Sequence, residues 1–328
     1  MAGVGFVTVS ERRSIKSIGG SEFTWSMMTG MGPTKMHPDE VETDIELVRR
    51  LLAAQFPQWA GLRIDQVASY GTDHDIYRLG EQLAARMPRI GWAVGQATKE
   101  REWLPKLAPH LPLAVPVPLA IGRPAEGYPF EWSVYEWLPG DNANSSIQDL
   151  NQAAIDLAAF IRALRQVDTL GAHSRPVHGR GGPLIEGDDQ VRRAITDLGD
   201  RIDGDTTLRL WEESLSAAAW HGEEVWVHGD LLPGNLLVVD GRLSGVIDFG
   251  GLNVGDPACD LQPAWNMFAG ESRRRFLAEL EVDEASWLRG RGWALYQAVS
   301  ALPYYWDTNP GMIRQASHAL AQVLGSSA

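Results

Sequence analysis

The chain has 328 residues, of which 44% are hydrophobic; this predicts a folded protein with a large core and two lobes and argues against disorder. The net charge of −13 argues against a nucleic-acid partner and suits a cationic small molecule. No apolar run is long enough to cross a membrane, and the single cysteine, Cys259, excludes an internal disulfide. We expect a monomer in the reducing cytoplasm, without a membrane partner.

Residues 1–35 differ in character from the rest of the chain. They carry four basic and two acidic residues, with Gly and Ser scattered among them. They have no apolar core followed by a small-residue cleavage site, so a signal peptide does not fit. We expect a disordered leader, with Met36 as an alternative start.

Short strands and helices are predicted in the part of the chain that follows. Apolar residues at every third or fourth position predict an amphipathic helix over residues 39–56, which Pro57 ends. A helical pattern recurs at residues 97–107. Runs that favour β-structure predict strands at residues 64–70, 76–79, 82–87, 119–122 and 130–138.

After residue 138 the pattern is mostly helical. Helices are predicted at residues 147–167, 191–202, 206–221, 257–268, 272–280, 284–302 and 312–324. One β-rich segment interrupts them at residues 225–247, where Asp240-Gly241 is a two-residue hairpin signal. This hairpin folds Asn235 and Asp248 back toward each other.

Three polar residues of this segment form a chemical pattern. Asn235 and Asp248 bring together an amide oxygen and a carboxylate, which are hard ligands suited to an Mg²⁺ ion that bridges phosphates. Asp230 is then available to accept a proton. An ordinary solvated turn flanked by acids explains Asp240, but it does not explain three such residues at this spacing.

The spacing of these residues is that of the kinase pattern HxDxxxxN followed by DFG. Here the loop reads HGD, from His228 to Asp230, and the DFG at residues 248–250 is followed by GDPACDL at residues 255–261. The combination resembles the aminoglycoside phosphotransferase family of small-molecule kinases. The resemblance extends from about residue 64 to the C-terminal helices.

The resemblance implies an α+β, protein-kinase-like fold with two lobes. A small β-rich N-lobe over residues 36–138 would bind the nucleotide and end in the hinge. A larger α-helical C-lobe over residues 139–328 would carry the catalytic loop and the acceptor site. The backbone C=O of Glu136 and the N–H of Leu138 would bind the purine edge at the hinge.

The resemblance also implies the roles of the charged residues. Asp230 would orient the acceptor hydroxyl and accept its proton, while Asn235 and Asp248 would hold Mg²⁺. His228 would support the loop.

A cation on the third strand would position the phosphates of ATP or GTP. Arg86 stands where protein kinases have a lysine, and Glu100 would fix it through an ion pair. Arg89 and Glu102 are the alternatives for these two roles.

These roles predict transfer of the γ-phosphoryl group of ATP or GTP to a hydroxyl of a small molecule. An aminoglycoside is the expected acceptor, because acids of the family's C-lobe face a polycation. Seven of the acids that follow the DFG here are Asp256, Asp260, Glu271, Glu279, Glu281, Asp283 and Glu284. Most of them are expected to solubilise helices, and Asp260 to brace the catalytic loop or meet the substrate. A macrolide, an amino alcohol or sugar, and a nucleotide-binding pseudoenzyme remain the alternatives.

Overall fold

The computed structural model describes residues 39–67, 73–143, 146–169, 171–172 and 179–325, which all lie within one unit, Lys35–Ala328. The expected leader, residues 1–35, lies outside the described residues, as does the expected end of the first strand at residues 68–70. Among the described residues, no helix has the length and apolar content needed to cross a membrane.

The first lobe consists of a five-stranded antiparallel sheet and two helices. Its elements are β1 (Ile64–Val67), β2 (His74–Leu79), β3 (Leu83–Pro88), β4 (Pro118–Gly122), β5 (Trp132–Glu136), α1 (Ile45–Gln55) and α2 (Gln96–Leu107). The strand order is β1-β2-β3-β5-β4, so β3 lies in the centre of the sheet. Arg86 is therefore held on a strand that is paired on both sides.

Helix α1 starts later than the pattern predicted. The Asp44 carboxylate accepts a hydrogen bond from the Leu47 N–H at 2.7 Å and caps the helix there. Residues 40–43 belong to no helix or strand, and the Val41 N–H donates to the carbonyl of Arg89 at 2.8 Å. The apolar face of α1 then packs on the sheet, where it covers the buried ring of Trp132.

The second lobe is mostly helical. Its helices are α3 (Leu150–Gln166), α4 (Asp188–Leu198), α5 (Gly204–Leu215), α6 (Pro263–Asn266), α7 (Gly270–Glu279), α8 (Glu284–Tyr305) and α9 (Pro310–Gly325). Its described residues also contain five short strands: β6 (Asp141–Asn142), β7 (Val225–Val227), β8 (Leu236–Val239), β9 (Arg242–Val246) and β10 (Asn253–Gly255). They form two small sheets, β6-β8-β9 and β10-β7. The predicted α+β, kinase-like class with a β-rich lobe and a helical lobe is confirmed.

The prediction of one helix over residues 257–268 is wrong. A 3₁₀ turn, Pro257–Leu261, comes first, and the four-residue helix α6 follows it. Pro263 has no N–H to continue the hydrogen-bond ladder, so the two pieces stay separate. The Asp256 carboxylate caps the turn through the Ala258 N–H at 2.9 Å. This break turns the side chain of Asp260 inward, toward the loop that follows β7.

The close packing of Gly122 against Trp132 in the first lobe can be tested by substitution. Gly122 lies against the fully buried indole of Trp132, and a Cβ added at Gly122 would overlap that ring. We expect Gly122→Ala to lower the free energy of unfolding by about 1–3 kcal/mol, because the ring must shift in a filled core. Gly61→Ala is the matched control, since nothing lies within 4 Å of a Cβ added there. Chemical denaturation measures both, and equal stability of the two variants would contradict this packing.

Candidate active site

The loop between β7 and β8 is held by the buried carboxylate of Asp260. This carboxylate accepts hydrogen bonds from the backbone N–H of His228 at 2.8 Å and of Gly229 at 2.7 Å. Burial raises the pKa of Asp260, and the nearby His228 and the two N–H groups oppose that rise. Asp260 therefore braces the loop, which is one of the two roles that the sequence left open.

His228 connects this loop to the strand that leads to Asp248. Its ring is buried, with Nδ1 accepting from the Asp230 N–H at 3.2 Å and Nε2 lying 3.1 Å from the carbonyl oxygen of Ile247. An acceptor at Nδ1 requires the donor hydrogen at Nε2, so the ring donates to Ile247. The ring also packs edge-on against Phe249, at 4.6 Å between centroids. His228 therefore has the supporting position that the sequence predicted.

Two amide side chains orient the carboxylate of Asp230. Asn235 Nδ2 donates to Asp230 Oδ2 at 3.0 Å, and Gln297 Nε2 donates to Oδ1 at 2.7 Å. Desolvation by the surrounding protein raises the pKa of Asp230, and the charge of Arg180 opposes the rise. Since the amide nitrogen of Asn235 faces Asp230, its Oδ1 remains to bind another ligand.

The hairpin brings Asp248 beside Asn235, as the sequence predicted. Asp240 and Gly241 both have positive φ, at 50° and 79°, which is the backbone of a tight two-residue turn. At the open end of the hairpin the Ile247 N–H donates to the Asn235 carbonyl at 2.9 Å. The next residue, Asp248, adopts a left-handed backbone with φ of 63°, and its side chain is 42% exposed.

Arg86 links Asp248 to the first lobe. Its guanidinium lies 2.6 Å from Glu100 Oε1 and 2.6 Å from Asp248 Oδ1. The Tyr135 hydroxyl donates to the other oxygen of Glu100. Desolvation alone would raise the pKa of Asp248, but Arg86 is the largest of several opposing contributions that together bring the pKa below its ordinary value.

The structure distinguishes Arg86 and Glu100 from the alternatives that the sequence offered, Arg89 and Glu102. Arg89 pairs with Glu40 at 2.7 Å, outside this cluster, and Glu102 is exposed. Glu100 is fully buried. The predicted Arg86–Glu100 ion pair is therefore present.

Helix α2 also contacts the segment after Asp248. Lys99 Nζ donates to the carbonyl of Gly250 at 2.7 Å and to that of Leu252 at 3.0 Å. Gln96 Oε1 accepts a longer hydrogen bond from Arg86, at 3.4 Å. The helix that carries Glu100 is thereby tied to the second lobe.

Glu136 and Leu138 lie where the sheet ends. Glu136 is the last residue of β5 and pairs with Leu83, and the next residue, Trp137, donates its N–H to Gln82 at 2.7 Å. Leu138 follows, where the chain leaves the sheet toward β6. The predicted hinge would lie at this position. The contacts of Glu136 and Leu138 with a purine remain a prediction.

A cavity of about 400 Å³ opens beside Asp230. It is formed by helices α8 and α9, with contributions from the first lobe at Asp73 and Trp92. It is not lined by any of the acids Asp256, Asp260, Glu271, Glu279, Glu281, Asp283 and Glu284. Three of those acids are held in ion pairs elsewhere: Asp256 with Arg289, Glu271 with Arg274 and Arg275, and Glu279 with Arg162.

Two residues near Asp230 were not predicted from the sequence. Gln297 donates a hydrogen bond to Asp230, and Arg180 lies close to it. Arg180 NH2 lies 3.9 Å from Asp230 Oδ1, and its NH1 is buried with no hydrogen-bond partner among the described residues. The Arg180 side chain packs closely against Gly229, because a Cβ added at Gly229 would lie only 2.5 Å from Arg180 Cβ. Neither residue belongs to a sequence motif. Arg180 lies in a Gly-rich segment whose composition predicts a solvent-exposed loop.

The donor set of the cluster fits a cation held mainly by phosphates. Among the described residues, no group of three His, Cys, Asp or Glu is placed to hold a metal by itself. Asn235 Oδ1 and the partly exposed carboxylate of Asp248 offer two hard oxygen ligands, and Mg²⁺ in such sites takes its other ligands from phosphates and water. The pair therefore fits Mg²⁺ together with a nucleotide.

Comparisons with known sequences point to one family. The model of the phosphotransferase enzyme family matches residues 66–298. The chain is 26% identical to the uncharacterized protein YcbJ of Bacillus subtilis (strain 168) over 195 residues, which are 57% of this chain and 58% of that protein. It is 24% identical to an aminoglycoside 3'-phosphotransferase of Salmonella typhimurium over 163 residues, 46% of this chain and 59% of that protein. The chain spans less than two thirds of the length of these relatives.

Solved structures share the fold. The GDP and kanamycin complex of APH(2")-IIia has a TM-score of 0.69 at 18% identity, covering 86% of this chain and 99% of that one. A macrolide 2'-phosphotransferase type I has a TM-score of 0.58 at 23% identity, covering 87% of this chain and 98% of that one. Because the family match extends over most of the chain and includes the whole cluster around Asp230, this chain belongs to the phosphotransferase enzyme family.

Proposed function

We propose that this phosphotransferase moves the γ-phosphoryl group of ATP or GTP to a hydroxyl of a small molecule bound in the cavity beside Asp230. One observation carries the proposal. The carboxylate of Asp230 borders a cavity of small-molecule size and, through Asn235, adjoins the cluster of Asp248 and Arg86. An acceptor in the cavity and phosphates at the cluster would therefore meet at Asp230.

Asp230 would orient the acceptor hydroxyl and accept its proton. Its two oxygens are fixed by Asn235 and Gln297, and each oxygen keeps a lone pair for the incoming hydroxyl. Desolvation raises the pKa of Asp230, which makes the carboxylate a better proton acceptor. Positioning of this kind supplies most of the catalysis in phosphoryl transfer.

The nucleotide would bind between the two lobes. Asn235 and Asp248 would hold Mg²⁺, which bridges phosphate oxygens and neutralises their charge. Arg86 would position the phosphates while Glu100 holds its guanidinium in place. The backbone of Glu136 and Leu138 would bind the purine.

Arg180 would add positive charge on the acceptor side. It lines the same cavity as Asp230, and its buried NH1 offers a hydrogen bond that no described residue uses. A phosphoryl group that moves toward Asp230 carries negative charge, which a fixed guanidinium stabilises.

The acceptor that the sequence predicts is an aminoglycoside, with a macrolide, an amino alcohol or a sugar as alternatives. Relatives named for aminoglycoside and for macrolide acceptors are both similar to this chain. The presence of Asp230, Asn235 and Asp248 in one cluster argues against a pseudoenzyme.

The roles of the two carboxylates can be separated by substitution. Asp230→Ala should lower kcat by about 10²–10⁴-fold and leave nucleotide binding largely intact, because this group meets the acceptor. Asp248→Ala should also weaken binding of the Mg-nucleotide. Asp205→Ala, at an exposed site in the first turn of α5, is the control. Steady-state kinetics and nucleotide titration provide the measurement; near-normal turnover of Asp230→Ala would remove its proposed role.

The role of Arg86 is tested against that of Arg89. Arg86→Ala should raise the KM for nucleotide and lower kcat, and Arg86→Lys should retain part of the activity, because a lysine keeps the charge but loses the paired contacts to Glu100 and Asp248. Arg89→Ala should leave the nucleotide KM unchanged, since Arg89 pairs with Glu40. A larger kinetic effect at Arg89 would show that the phosphates bind elsewhere.

The role of Arg180 predicts a loss in turnover. Arg180→Gln should lower kcat by about 10²–10³-fold, because one charged donor to the transferring group is lost, with a smaller change in KM for nucleotide. Arg180→Lys should recover part of the rate. Arg193→Gln, on the exposed face of α4, is the control. Kinetics and melting temperature are measured together, and an unchanged kcat in a stably folded Arg180→Gln variant would exclude the role.

A further inference from the structure

Asp248 has a strained backbone conformation. Its φ of 63° and ψ of 68° lie in the left-handed region, which residues other than glycine seldom adopt. A conformation of this kind persists only where the surrounding contacts hold it. The carboxylate of Asp248 pairs with Arg86 at 2.6 Å and would bind Mg²⁺ in the proposed function. The contacts that hold this backbone therefore also decide where the carboxylate points.

The chain on either side of Asp248 is held by different parts of the molecule. Before Asp248, the hydrogen bonds of the β8–β9 hairpin fix the backbone within the second lobe. After it, the chain forms the 3₁₀ turn Phe249–Gly251. A Cβ added at Gly250 would lie 2.7 Å from Gln96 Oε1, so helix α2 of the first lobe lies directly against this turn. The backbone that follows Asp248 is therefore shaped by a contact between the two lobes.

Lys99 of α2 binds two carbonyl groups at the end of this turn. Its Nζ donates to the carbonyl of Gly250 at 2.7 Å and to that of Leu252 at 3.0 Å. An ammonium group has three donors, so it can bind both carbonyls at once. Burial lowers the pKa of Lys99, and the charge of Glu100 opposes that change. A buried carbonyl that loses its donor is unfavourable, so we expect the turn to rearrange when this ammonium group is removed.

Helix α2 thus acts on Asp248 by two routes. Glu100 holds the Arg86 guanidinium, which binds the Asp248 carboxylate. The preceding residue of the helix, Lys99, holds the backbone after Asp248. The first route fixes the side chain and the second fixes the main chain, so one helix positions both.

We propose that Lys99 is a positioning residue, which holds the turn after Asp248 in the conformation that directs the Asp248 carboxylate to the phosphates. The carboxylate is then in place only while α2 is docked on the second lobe. The part of this inference that concerns the nucleotide rests on the proposed function, because Asp248 would hold Mg²⁺ there. The contact between Lys99 and the turn does not depend on a nucleotide and can be tested without one.

The first experiment measures amide hydrogen exchange of the full chain without nucleotide. Lys99→Met removes the ammonium group and should accelerate exchange over residues 249–252 by about tenfold, because the turn loses the contact that holds it. Lys99→Arg keeps a charged donor and should show a smaller increase. Lys106→Met is the matched control, since Lys106 is exposed on the same helix and lies over the Trp103 ring, at 4.1 Å from its centroid. Unchanged exchange in Lys99→Met would overturn the proposal.

The second experiment is a double-mutant cycle on nucleotide binding. Calorimetric titration with Mg-ATP and Mg-GTP identifies the nucleotide that binds more tightly, and Lys99→Met should raise its Kd about tenfold. In the Asp248→Ala background the same substitution should change Kd by less than about twofold, because a residue that acts through Asp248 then has nothing to position. Lys106→Met should leave Kd unchanged. A general structural role predicts the same factor in both backgrounds, and that result would overturn the positioning role.

The outcomes separate this inference from the proposed function. If the full chain binds neither Mg-ATP nor Mg-GTP, the proposed function is overturned, and hydrogen exchange then decides whether Lys99 holds the turn. If Asp248→Ala weakens nucleotide binding and Lys99→Met does not, the proposed function stands and the positioning role is overturned. Melting temperatures of all variants are measured alongside, and Lys99→Arg takes the place of Lys99→Met in the cycle if the latter does not fold.

Discussion

The carboxylate of Asp260 is fully buried, and its hydrogen bonds to the backbone N–H groups of His228 and Gly229 compensate for the loss of water. The position of Asp230 depends on this bracing, because Asp230 is the next residue along the loop. Asp256 starts the same turn and pairs with Arg289 of α8 at 2.6 Å. The loop that carries Asp230 is thus connected to α8, the helix that also supplies Gln297 and part of the cavity wall.

The second constraint is the position of Arg86 between the lobes. Its guanidinium binds Glu100 of α2 and Asp248 of the second lobe at equal distances of 2.6 Å. A cation shared by two carboxylates fixes their separation, and Lys99 adds a second connection from the same helix to the backbone after Asp248. The cluster around Asp248 is therefore organised by contacts between the lobes, and Arg86 and Asp248 are 162 residues apart in sequence.

Local patterns predicted the parts of the site that lie close together in the chain. Asp240 and Gly241 favour the positive φ angles that a two-residue hairpin turn requires. The turn pairs β8 with β9 and so brings Asn235 and Asp248 together through contacts that are local in sequence. The prediction of a single helix over residues 257–268 was wrong because Pro263 separates a 3₁₀ turn from the short helix α6. The approach of Arg180 to Asp230 was not predictable, since it depends on how a Gly-rich segment packs against the loop that carries Asp230, and no local pattern encodes that contact.

The net charge of the chain does not by itself describe the electrostatic field in the cavity beside Asp230. Acids such as Asp256 and Glu279 are paired with arginines on their own lobe, so they present little field to a molecule in the cavity. Exposed charges farther away are screened over about 8–10 Å at physiological ionic strength. The electrostatic preference of a binding site is set by the groups that line it, and the charged groups among the described residues that line this cavity are Asp73, Asp230 and Arg180. The field inside the cavity therefore depends on these groups more than on the total charge of the chain.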